Sequence, residues 1–163
     1  MNDVVIGLGG NVGDVQAAFV RAREALAQIG PVTTAPLYRT AAIGPAQAPY
    51  LNSAVRVRWA NVTASELIAT VLEIEALLGR DRRGEPRWGP RTIDLDVLVW
   101  GTRVVREPGL EVPHPRLHER RFALVPLIAL VGEDFVLPGT GESLRVLEAR
   151  IHDQELEELS PSW

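Results

Sequence analysis

Cysteine and lysine are both absent from the 163 residues. Without cysteine there is no disulfide, zinc-thiolate site, iron–sulfur cluster or thiol nucleophile, and cysteine usage carries no information on redox compartment. Without lysine, the P-loop cation, Schiff-base chemistry and a lysine general base are excluded. All 17 basic side chains are arginine. Long apolar runs are lacking too: the stretch from Phe122 to Val131 falls far short of the ~20 residues that span a bilayer. The start, MNDVVIGLGG, has no basic region of a targeting peptide, so no membrane partner and a cytoplasmic location are expected. A net charge of −4 argues against a nucleic-acid partner bound over the whole surface and leaves any polyanion to a local patch.

What is present reads as one domain over 1–163, because 46% hydrophobic and 23% charged residues suit a globular core. Val4 to Leu8 is an apolar, β-branched run that reads as a buried strand. Asp14 can cap a helix whose apolar positions run from Val15 to Ile29, before Gly30-Pro31. Val32 to Thr40 reads as a second strand and Ala41 to Pro49 as a loop. Tyr50 to Trp59 alternates as a strand with one wet face. Thr63 or Ser65 can cap a second helix with a wide apolar face from Leu67 to Leu78, ending at Gly79. Arg80 to Arg91 is a polar loop and Ile93 to Trp100 a fourth strand.

This order predicts an α+β, ferredoxin-like βαββαβ core with an antiparallel sheet and helices packed on it. A C-terminal extension follows. Within it, Pro115 opens a third helix, Leu144 to Ile151 forms a small closing element, and the acidic tail from Glu148 to Glu158 forms a solvated helix.

Chemistry concentrates in Trp88-Gly89-Pro90-Arg91-Thr92-Ile93-Asp94-Leu95-Asp96. Strand residues two apart share a face, so Asp94 and Asp96 present two carboxylates together while Ile93, Leu95 and Val97 enter the core. Two such carboxylates repel unless a cation neutralises them. Magnesium, which takes one or two carboxylates plus water and phosphate oxygens, is one solution; pairing with nearby arginines is the other. Just upstream, Arg80, Arg82, Arg83, Arg87 and Arg91 outnumber Asp81 and Glu85, giving +3 over twelve residues. Guanidinium forks match phosphate oxygens, although a solvated charged loop has the same composition.

Other signals are weaker. The glycine-rich Gly7 to Asp14 fits neither the dinucleotide fingerprint nor the P-loop and reads as a tight strand-to-helix connection. Tyr50, Asn52, Trp88 and Phe122 could hold a flat heterocycle or could be core. His114 and His118 are four apart, but no HExxH glutamate accompanies them, so a phosphate contact or a helix-entry role suits His114 better than zinc. These features leave open a magnesium-dependent phosphotransferase of unspecified acceptor, or a nucleotide-binding module without catalysis.

Taken together, GLGGNVGD, YRT, YLNSAV, EALLGRDRR, RWGPRTIDLDVLVWG and VPHPRLHERRFALVPL, in that order from Val5 to about Pro138, resemble the 6-hydroxymethyl-7,8-dihydropterin pyrophosphokinases of folate biosynthesis. The resemblance implies transfer of pyrophosphate from MgATP to the pterin hydroxymethyl oxygen, releasing AMP. A monomer is expected. It implies that Asp94 and Asp96 hold two magnesium ions and that Arg80 and Arg91 are catalytic. ATP would meet Glu75, Arg82, Trp88, Arg91, Val97, His114 and Arg120. The pterin would meet Thr40, Ile43, Tyr50, Asn52, Trp88, Asp94 and Phe122, with Trp88 on a loop closing over both substrates. The sequence departs from the family pattern at Ala41-Ala42, where prolines are usual, at Pro86, an extra residue in the arginine segment, and at Gly109, where Arg106 could compensate for an arginine.

Overall fold

A computed structural model describes residues 3–41, 46–79 and 92–163. The first strand, β1 (Asp3–Gly10), leads through Gly13, at φ +73°, into α1 (Val15–Ala27), where the Asp14 carboxylate accepts from the Ala17 amide at 3.1 Å. Strands β2 (Val32–Thr34), β3 (Leu37–Thr40) and β4 (Tyr50–Arg58) follow. Helix α2 (Ala64–Leu77) starts with a capping box: Thr63 Oγ1 accepts from the Glu66 amide and the Glu66 carboxylate from the Thr63 amide. Strand β5 (Asp94–Trp100) precedes a hairpin of β6 (Val105–Glu107) and β7 (Leu110–Val112). A 3-10 turn, α3 (Arg121–Val131), α4 (Leu144–Ala149) and β8 (Glu157–Ser160) complete the order.

The main sheet runs β5-β1-β4-β3-β8, with β2 also on β4, and its pairs are antiparallel. Counting β2 and β3 as one interrupted strand, the first five strands have the expected ferredoxin-like order. Even-numbered β1 residues Val4, Ile6 and Leu8 join Phe19, Leu26, Leu67 and Ile74 in the core under α1 and α2. Val5, Ala54 and Leu98 face the other way, against Leu124, Leu127 and Leu144 of α3 and α4. The sheet is therefore the middle of three layers.

Several sequence expectations are corrected. Val32 to Thr40 is two strands, interrupted at Ala35-Pro36. Strand β4 has no wet face over Asn52 to Val55, all buried, because α3 covers the side that alternation leaves to solvent. Arg56 looks like a solvent marker, yet its Nη1 donates to the Leu130 carbonyl at 2.8 Å, satisfying the end of α3. The third helix begins at Arg121, since the residues after Pro115 form only the 3-10 turn. Residues of the acidic tail form β8, paired with β3 at the sheet edge, rather than a solvated helix. On α2, Leu72 and Leu77 are exposed, so its apolar face is narrower than its composition.

If α3 seals the second face of β4, truncating a fully buried α3 side chain must cost as much as a central core truncation. Leu127→Ala is expected to lower unfolding free energy by about 3 kcal/mol in denaturant titration. A loss below about 1 kcal/mol would show that this face is loosely covered.

Candidate active site

The face of the sheet that carries the candidate residues is set by register. Gly9 of β1 lies between Asn52 on β4 and Asp94 on β5; two residues along, Gly7 lies between Ala54 and Asp96. Neighbouring strands are about 4.8 Å apart, so Asn52 and Asp94 face each other across about 10 Å, with only a glycine between them. The result is a cleft of about 140 Å³ floored by Gly7, Leu8 and Gly9 and bordered by Thr40, Tyr50, Asn52, Asp94, Asp96, His114, Arg120 and Phe122. A Cβ on Gly9 would stand 3.4 Å from Asn52 Oδ1, inside that opening.

The polar groups of the cleft are oriented by bonds behind them. Asn52 is 3% exposed, and its Nδ2 donates to Thr40 Oγ1 at 2.8 Å. That leaves Oδ1, an acceptor, on the Gly9 side. Asn11 Nδ2 donates to Gln47 Oε1 and to the Ala48 carbonyl, tying the end of β1 to the segment entering β4.

His114 is fixed at both ends. Its amide donates to the Leu98 carbonyl at 2.9 Å, and its Nδ1 accepts from the Arg116 amide at 3.1 Å. A ring accepting at Nδ1 carries its proton on Nε2 when neutral. Burial above all, then the Arg120 charge, pushes the imidazole down to about 4; Asp94 opposes the shift and Arg116 adds to it. The neutral ring points Nε2 towards Asp96 Oδ1 at 3.9 Å, too long for a hydrogen bond. Arg120 lies 5.8 Å from the Phe122 ring centre, bringing one cation to the aromatic wall.

Eight sequence-predicted residues therefore meet in one cleft: Thr40, Tyr50, Asn52, Asp94, Asp96, His114, Arg120 and Phe122. Ile43, Arg80, Arg82, Trp88 and Arg91 lie outside the described residues. Glu75 and Val97 sit on the opposite side of β5 and, among the described residues, border neither cleft. Val97 belongs to the core under α1 and α2, while the buried Glu75 carboxylate accepts from the Leu95 amide at 3.3 Å. That bond serves a strand at the end of the sheet order. Among the described residues, no three histidines, cysteines or carboxylates group as a metal cage. His114 and His118 border a second cavity of about 410 Å³, with Arg106, Glu111, Glu142 and Arg150.

The glycines are what sequence reasoning missed. Gly7 and Gly9 are strand residues rather than a strand-to-helix connection. The signal was their spacing of two, which places both missing side chains on one face.

The family profile described as 7,8-dihydro-6-hydroxymethylpterin-pyrophosphokinase (HPPK) matches residues 5–132. A 2-amino-4-hydroxy-6-hydroxymethyldihydropteridine pyrophosphokinase of Synechocystis sp. is 38% identical over 143 residues, covering 86% of this chain and 71% of the relative. A protein of the same name from Methylorubrum extorquens is 39% identical over 161 residues, covering 96% of this chain and 98% of the relative. The crystal structure of Plasmodium falciparum HPPK-DHPS superposes with a TM-score of 0.68 at 13% identity, a likeness of fold. It covers 92% of this chain but 44% of that one, so this chain spans less than half of the Plasmodium chain.

The His114 geometry has a direct spectroscopic readout. Nitrogen-15 NMR of the imidazole at pH 7 should show the neutral tautomer protonated at Nε2, with Nδ1 at the shift of an unprotonated acceptor. An imidazolium spectrum, or the opposite tautomer, would contradict the arrangement.

Proposed function

The chain belongs to the 7,8-dihydro-6-hydroxymethylpterin-pyrophosphokinase family, and from that premise we propose how its cleft performs the family's reaction. The protein transfers pyrophosphate from ATP to the hydroxymethyl oxygen of the dihydropterin, leaving AMP, in folate biosynthesis. The observation that carries the site assignment is the row Asn52, Gly9, Asp94. It sets two polar residues across a gap suited to one flat heterocycle. The pterin ring lies over Gly9 between Tyr50 and Phe122. Its N–H-bearing edge meets Asn52 Oδ1, held by Thr40, with Asp94 opposite and the Ile43 backbone contributing alongside.

ATP approaches from the Asp96 and His114 side. The neutral His114 offers Nε2–H to a phosphate oxygen, and Arg120 offers its charge. Arg80, Arg82 and Arg91 supply further guanidinium groups, with Arg80 and Arg91 acting where charge builds up in transfer. Trp88 completes the cover over both substrates. Glu75 from α2, through its hold on the Leu95 amide, and Val97 from β5 serve the nucleotide side.

Asp94 and Asp96 fit magnesium. Both border the cleft, are two residues apart on one face, offer only oxygen donors, and leave coordination positions for water and phosphate. Two ions bound there would screen the triphosphate and polarise the phosphoryl oxygens. The chain's own contribution is positioning, which suits a transfer whose acceptor oxygen belongs to the substrate. Residues 1–163 act as one unit and as a monomer.

The test is an assay with ATP, magnesium and the reduced pterin alcohol, with the nucleotide product identified. Pterin-dependent AMP is expected, and Asp96→Asn should lower its rate about 100-fold or more. ADP as product would indicate an ordinary kinase, and no turnover a binding module. Near-normal activity of Asp96→Asn would remove the metal assignment.

A further inference from the structure

The interruption between β2 and β3 changes which way the chain faces. Thr34 pairs with Val55 and Tyr38 with Asn52, so Ala35, Pro36 and Leu37 stand opposite only Ser53 and Ala54. One extra residue on one strand is a bulge, and it reverses the side-chain alternation beyond it. Thr34 lies across from Val55 of the α1/α2 core, yet Thr40, six residues on, faces the cleft and takes the Asn52 amide hydrogen bond. In an unbroken strand the two would share a face.

The bulge turns carbonyls out of the ladder, and a short chain of hydrogen bonds receives them. Trp163 Nε1 lies 2.8 Å from the Ala35 carbonyl and 2.9 Å from Ser53 Oγ, donating to both. Ser53 Oγ in turn lies 2.8 Å from the Pro36 carbonyl and 3.1 Å from that of Ala35. Trp163 is itself held: its ring meets Phe19 edge-on at 5.7 Å, and Arg23 lies 5.3 Å from the ring centre and donates to its main-chain carbonyl. Strand β8 brings it there, and the β8 register with β3 also shifts between Leu37 and Tyr38.

We infer that Trp163 is a positioning residue for the pterin: with Ser53 it holds the bulge that turns Thr40 towards Asn52. It touches no substrate and acts from beneath the sheet. The inference rests on the assignment of the cleft to the pterin, and the experiment separates the two.

Trp163→Phe keeps a ring against Phe19 and removes the N–H; Ser53→Ala removes the hydroxyl. In either variant, amide exchange of residues 37–40 and 50–54 should quicken about tenfold, as for one buried hydrogen bond lost, while the β1–β5 amides keep wild-type rates. The pterin KM should rise about five- to tenfold, with the ATP KM and kcat within about twofold, and the double variant should be little worse than either single one. Exchange that quickens across the whole sheet, or nowhere, overturns the clamp. A local exchange change with an unchanged pterin KM, or with both KM values rising together, overturns the positioning role. If the wild-type protein shows no pterin-dependent turnover, the cleft assignment fails, and the exchange pattern still decides whether Trp163 holds the bulge.

Discussion

Which side chains can meet in this protein is decided by the two-residue alternation of β1, β4 and β5 in their paired register. Val4, Ile6 and Leu8 must enter the core under α1 and α2, so Gly7 and Gly9 are committed to the other face. The same parity commits Asp94 and Asp96 on β5 once Leu95 and Val97 are buried, and it commits Asn52 on β4 once Val55 and Val57 are buried. A slip of one residue would send all of these into the core and bring Leu8 or Leu95 to the cleft. Hydrophobic burial on one face thus holds polar chemistry on the other.

The electrostatics follow from that placement. Without lysine, the cationic side chains open to a site in this chain are arginine and histidine. His114 stays neutral because burial and the Arg120 charge both oppose a second proton. Its Nδ1 is already an acceptor, so it offers one N–H in one direction. Asp96 is more open than His114, with its side chain 39% exposed, which suits a group that shares its oxygens with a cation. The lysine-free composition extends to Arg145 and Arg150, whose partners are the surface carboxylates Glu133, Asp134 and Glu142. Arginine as such is therefore no mark of function in this chain; its place beside the cleft is.

Local signals were legible in the sequence where local physics decides. Asp14 and Thr63 cap their helices because the capping bonds span three residues. The shared face of Asp94 and Asp96 follows from alternation alone. What could not be read depends on distant partners. Arg56 reads as a wet residue until α3 supplies a carbonyl, and the acidic tail reads as solvated until β3 offers an edge. The bulge turns on a single extra residue at Pro36, and its consequence for Thr40 appears only in the paired register. The two glycines were visible, but what their missing side chains leave open becomes clear only when Asn52 and Asp94 are found on either side.

The proposed pterin site turns on the open position at Gly9. The most direct measurement is dihydropterin binding to Gly9→Val by calorimetry, alongside ATP binding and thermal unfolding. Valine suits an extended strand, and its side chain would enter the space beside Asn52 Oδ1. Pterin affinity should fall at least about tenfold, with ATP affinity and the unfolding midpoint close to wild type. Wild-type pterin affinity in a folded Gly9→Val protein would contradict the proposed site.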